Sequence, residues 1–152
     1  MHVTVTFNEK MPLSGIDGKG HQTLFDTSPE FSGTGSAASP LDTVLESLGA
    51  CSMMDIISIL KKMRREPLLI KADLVAQRAE EHPKVFTAIQ IIYTLESPGC
   101  TPAEFEKAVH LSMEKYCSVA AILRASGCAI TWSTELVHGE RKEEESGVVE
   151  EL

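Results

Sequence analysis

Residues 39 to 67, SPLDTVLESLGACSMMDIISILKKMRREP, constrain this chain more than any other stretch. Ser39 is a helix cap, Pro40 suits the first helical position, and Asp42 stands where a capping-box acid reaches back. Leu41, Val44, Leu45, Leu48, Cys51, Ile56, Ile59, Leu60 and Met63 then keep one apolar face going. Lys61, Lys62, Arg64 and Arg65 complement the negative end of the helix dipole, and Pro67 stops the helix. About 25 residues at ~1.5 Å each make a rod of roughly 37 Å, long for a small domain. Everything else is therefore expected to wrap around it.

The flanking segments suggest how. HVTVTF (2 to 7) alternates as a strand, SGIDGKG (14 to 20) is a glycine-rich turn, and HQTLFD (21 to 26) is a second strand. Residues 27 to 39 have loop composition. LLIKADLVAQ (68 to 77) and VFTAIQIIYTL (85 to 95) form a hairpin across EEHPK. Thr101-Pro102-Ala103-Glu104 repeats the capping pattern and opens a second helix. A third, short helix starts around Tyr116 to Ser118 and ends near Gly127, and CAITWSTELV (128 to 137) is a last strand with Ile130, Trp132, Thr134 and Leu136 on one face. This order is α+β.

A chain of 152 residues, 43% of them hydrophobic, fits one domain over residues 1 to 138. No uninterrupted apolar run approaches the ~20 residues of a membrane span. The N-terminus lacks a basic region followed by an apolar run, so no signal peptide is expected, and the expected location is cytoplasmic. Half of the net charge of −8 sits in residues 139 to 152, where six glutamates face Arg141 and Lys142. That acidic tail is expected to be disordered. The body carries no basic stripe, which argues against nucleic acid and anionic membrane as partners.

The four cysteines, Cys51, Cys100, Cys117 and Cys128, show neither CxxC nor zinc-ligand spacing, so no metal site is expected. Cys117 lies where a helix begins, and the unpaired N–H groups there favour a thiolate and a lowered pKa. Cys51 lies on the apolar side of the long helix. Free cysteine is also a common packing residue, and Cys100 and Cys128 have only that reading. His21 is a candidate acid or base. Glu114, three residues before Cys117, is a candidate auxiliary group.

With both thiols in view, SPLDTVLESLGACSMMDIISILKKMR and AVHLSMEKYCSVAAIL, with GHQTLFD ahead of them, resemble the OsmC/Ohr family and its YhfA-type branch. The likeness spans nearly all of residues 1 to 138. It implies the OsmC-like fold, curved antiparallel sheets wrapped around a long central helix, in an intertwined homodimer with sites at the subunit interface. It also implies a chemistry without cofactors. Cys51 attacks an organic hydroperoxide and becomes a sulfenic acid, Cys117 closes a disulfide on it, and an external dithiol restores both. Peroxidase members of the family carry an arginine in the N-terminal region, held by a glutamate ten positions before the first cysteine. Here that position is Leu41, and no arginine precedes Arg64. His21, Lys19 and Arg124 are the cations left to take its place. The alternative is a non-catalytic module that binds a small apolar or electrophilic ligand, or senses redox state, in the dimer-interface pocket.

Overall fold

The computed structural model describes residues 1–137, so the expected acidic tail lies outside the described residues. The chain divides into two units, Met1–Leu48 and Gly49 onward, with the long helix α1 (Pro40–Lys62) running through the boundary.

The first unit holds a three-stranded antiparallel sheet in the order β1 (Val3–Asn8), β2 (Lys10–Asp17), β3 (Gln22–Phe25). The middle strand corrects the sequence reading, which placed a turn over part of it. Pro12 and Gly15 give β2 a loop-like composition, but neither disrupts the sheet. Pro12 falls where the β1–β2 register shifts between Thr6 and Asn8, so its missing N–H costs no ladder bond there. The loop after β3 is closely organised. Asp26 is 1% exposed and accepts from the backbone N–H groups of Thr27 (2.7 Å), Thr34 (3.1 Å) and Ser36 (2.9 Å) and from the Thr34 (2.6 Å) and Ser36 (2.8 Å) hydroxyls. Those donors, Thr34 foremost, hold its carboxyl far below the usual carboxylate range. A Cβ on Gly33 would stand 1.9 Å from the Thr27 carbonyl oxygen, so only glycine fits.

Helix α1 starts as its sequence dictates. The Ser39 hydroxyl donates to Asp42 Oδ2 at 2.6 Å, and the Asp42 N–H donates back to Ser39 Oγ at 3.2 Å. By length and composition alone α1 is long and apolar enough to cross a membrane, contrary to the sequence reading. Counting uninterrupted apolar runs missed this, because Ser47, Gly49, Ser52 and Ser58 break the runs without adding charge. The same character serves a core helix: Leu48, Ser52, Ile56 and Leu60, four residues apart, are each fully buried.

In the second unit β4 (Leu69–Arg78) and β5 (Phe86–Glu96) form the expected hairpin, and β6 (Ala129–Val137) joins the other edge of β5. Ile89, Ile91, Tyr93 and Leu95 make β5 the buried middle strand. The β5–β6 pair is parallel, unlike the antiparallel pairs elsewhere. The crossover through α2 (Pro102–Leu111), a π-turn (Ser112–Tyr116) and α3 (Ser118–Ala125) returns the chain in the same direction. α1 ends before Arg65, whose guanidinium grips Glu104 of α2 through Nη2 at 2.7 Å and Nε at 3.0 and 3.1 Å. Gly49 lets β4 approach the helix closely, since a Cβ there would meet Leu74 Cδ1 at 3.1 Å.

Candidate active site

The second unit brings Cys51 and Cys117 together. Cys51 follows Gly49 and Ala50 on α1 and is half-buried, whereas Cys117 is 3% exposed. The two side chains are neighbours, close enough that Cys51 contributes to raising the Cys117 pKa. All four cysteines are free thiols, and Cys100 and Cys128 are buried.

Cys117 caps α3. It has extended backbone angles, and its sulfur accepts from the Ala120 N–H at 3.4 Å. Its own N–H reaches back to the Ser112 carbonyl at 2.8 Å across the π-turn. The position is the one read from the sequence, but the expected lowering of its pKa is overturned. Burial pushes the Cys117 thiol up to about 11, and the contact with Cys51 adds to the rise. The N–H groups of Ala120 and Val119 pull the other way and are outweighed. An eight-residue helix offers a modest dipole, while loss of water acts on the whole charge.

His21 is 76% exposed at the β2–β3 turn, with Nδ1 2.9 Å from Asp17 Oδ2. Lys19 donates its backbone N–H to Asp17 Oδ1 in that turn. Glu114 accepts from Arg124 Nη2 at 3.1 Å. Arg124 also donates to the Met113 carbonyl at 2.6 Å and lies over the Trp132 ring. Its charge is thus committed to the π-turn and to β6. Among the described residues no cluster of histidine, cysteine or acid side chains is placed to hold a metal ion.

Sequence reasoning missed the buried polar residues around the thiols. Tyr93 donates its hydroxyl to Ser52 Oγ at 2.7 Å and contacts Met113 Sδ at 3.3 Å. Ser112 Oγ lies 3.1 Å from the Ser52 carbonyl oxygen and 3.2 Å from Asp55 Oδ2. No local pattern marks these residues, because the contacts join positions far apart in the chain.

Two neighbouring free thiols, one on the face of a long helix and one capping another, define a small α+β thiol protein. Its family is equally plain. The OsmC-like protein model matches residues 33–133, and the chain belongs to that family. It is 37% identical over 137 residues to the protein YhfA of Escherichia coli (strain K12), an alignment covering 90% of this chain and 98% of YhfA. A crystal structure of a hypothetical protein from Aquifex aeolicus VF5 matches with 30% identity and a TM-score of 0.74, over 90% of this chain and 97% of that one. The organic hydroperoxide resistance protein OsmC of Legionella pneumophila shares the fold, with a TM-score of 0.64 at 14% identity over 88% and 95% of the two chains.

Proposed function

We propose that this protein reduces organic hydroperoxides with Cys51 as the attacking thiol and Cys117 as the resolving one. The observation that carries the reading is that the two thiols are neighbours, close enough for Cys51 to raise the Cys117 pKa. The Cys51 thiolate takes the terminal oxygen of ROOH, the O–O bond breaks, and the alkoxide leaves as ROH after gaining a proton. Cys117 then attacks the sulfenic sulfur. An S–S bond forms, the S–O bond breaks, and the hydroxyl leaves as water with the Cys117 proton. An external dithiol returns both cysteines to thiols. Family membership and the name of the Legionella relative support a redox role of this kind.

The working form is a cytoplasmic homodimer. Val3, Val5 and Phe7 alternate along β1 and are 65%, 56% and 61% exposed, an apolar face suited to a second copy. Light scattering should give the dimer mass at micromolar concentration, and a monomer mass would refute the dimer.

One observation favours a second reading, a redox-sensing or small-ligand-binding module. Arg124 is held by Glu114, Met113 and Trp132 and does not stand in for the family arginine. The experiment that separates the two is turnover of an alkyl hydroperoxide with added dithiol. The peroxidase reading expects Cys51→Ser to abolish it and Cys117→Ser to halt it after one oxidation, with sulfenic acid accumulating. A wild type that binds ligand or oxidises once without turnover supports the module.

A further inference from the structure

Ser52 immediately follows Cys51, and Ser112 and Met113 lie at the start of the π-turn that immediately precedes Cys117. Ser52, Tyr93 and Ser112 are 0% exposed and Met113 is 2% exposed. The Tyr93 hydroxyl reaches from the middle of β5 to both segments, 2.7 Å to Ser52 Oγ and 3.3 Å to Met113 Sδ. Ser52 Oγ in turn donates to the Gly49 carbonyl at 2.9 Å, so the bond network brackets Cys51 on both sides. On the other side the Cys117 N–H ends on the Ser112 carbonyl, and the Ser112 hydroxyl bridges back to the Ser52 carbonyl. Both thiol-bearing segments therefore hang from one buried phenol.

A phenylalanine would fill the same volume without a polar group to satisfy. What the hydroxyl adds is position, because sliding either segment would break a bond that excluded water cannot replace. Disulfide closure is demanding in this respect: its bond length and dihedral tolerate little error. Burial also pushes the Tyr93 phenol up to about 12, which keeps it a neutral donor throughout the range in which thiols react.

We propose that Tyr93, through its hydrogen bond to Ser52, is a positioning residue that sets the effective concentration of the Cys51 and Cys117 thiols toward each other. This rests on the reading of those cysteines as a bridging pair, but its test needs no hydroperoxide. Oxidised glutathione takes two electrons from the two thiols, yielding one S–S bond and two reduced glutathiones. Equilibrating the wild type and Tyr93→Phe in glutathione buffers, with the bridged fraction read by mass, gives the effective concentration directly.

Tyr93→Phe should lower that concentration roughly tenfold, a shift of about 30 mV. Ser52→Ala should lower it similarly, and the double variant little further, since both remove the same bond. A merely structural hydroxyl would lower the Tm of reduced and bridged protein alike and leave the effective concentration unchanged. That result overturns the proposal. If Tyr93→Phe does not fold, Ser52→Ala reads the same bond. A wild type inert to hydroperoxide that still bridges in glutathione removes the peroxidase reading alone, and the variants still decide the positioning role. A wild type that bridges under neither condition overturns both.

Discussion

Helices α2 and α3 begin within one crossover, yet their first turns are built differently. Thr101 caps α2 through a complete capping box: its Oγ1 accepts from the Glu104 N–H at 3.3 Å, and Glu104 Oε2 accepts from the Thr101 N–H at 2.9 Å. The same carboxylate receives Arg65 from just beyond α1, and the pair holds the Glu104 pKa down to about 2. α3 is capped by the sulfur of Cys117, a weak acceptor in a buried place, with no acid at the third position. The α2 start is optimised for stability. The α3 start keeps a poorer cap whose atom neighbours Cys51, the pattern that the proposed thiol chemistry expects of this helix end.

The comparison breaks most visibly at Glu104. Glu104→Ala removes the reciprocal cap bond and the grip of Arg65 together, so its Tm should fall by ~5 °C or more, beyond the fall for Thr101→Ala. Calorimetry that ranks the two in reverse would mean the Arg65 pair is idle.

A smaller effect, of opposite sign in pH, separates the two caps. Burial raises the Cys117 pKa to about 11, above the ~8.5 of an unfolded thiol. The unfolded chain thus loses its proton first as pH rises. The stability is complete below ~8.5 and is lost progressively toward 11. Urea midpoints of the reduced protein should therefore decline between pH 7 and 10, with a Cys117 contribution on the order of 1–2 kcal/mol. Cys100 and Cys128, also raised by burial, contribute in the same sense, so the readout is the flattening produced by Cys117→Ser. Identical slopes would show that Cys117 meets water. Glu104 acts at the acid end: its pKa is depressed, so its stabilisation is present above ~4.3 and fades as pH falls toward about 2. Arg65→Met should flatten that acid limb.

The smallest effect is expected at the thiols outside the pair. Cys100→Ala and Cys128→Ala should leave the Cys51–Cys117 bridging equilibrium within about twofold of wild type. A larger change in either would enlist a third cysteine in the exchange.

What the sequence disclosed follows the range of the forces involved. Both capping boxes were readable because their partners lie three residues apart, and the inward face of β6 was readable from its alternation. β2 was not, since Pro12 and Gly15 suit a turn locally and are reconciled with a strand only by the bulge opposite and by Phe25, whose ring would lie 3.0 Å from a Cβ at Gly15. The site divided in the same way. Cys117 was correctly placed at a helix start, but its ionisation depends on burial by the fold and came out opposite to the local expectation. Tyr93 and Ser52 lie 41 residues apart, beyond any periodic signal.

The most direct test of the thiol pair is to expose the reduced wild type to one equivalent of an alkyl hydroperoxide and map disulfides by mass after digestion. A single Cys51–Cys117 bridge, with Cys100 and Cys128 still free, is the predicted result. Oxidation that proceeds equally well in Cys51→Ser, or that modifies all four cysteines at similar rates, would contradict it.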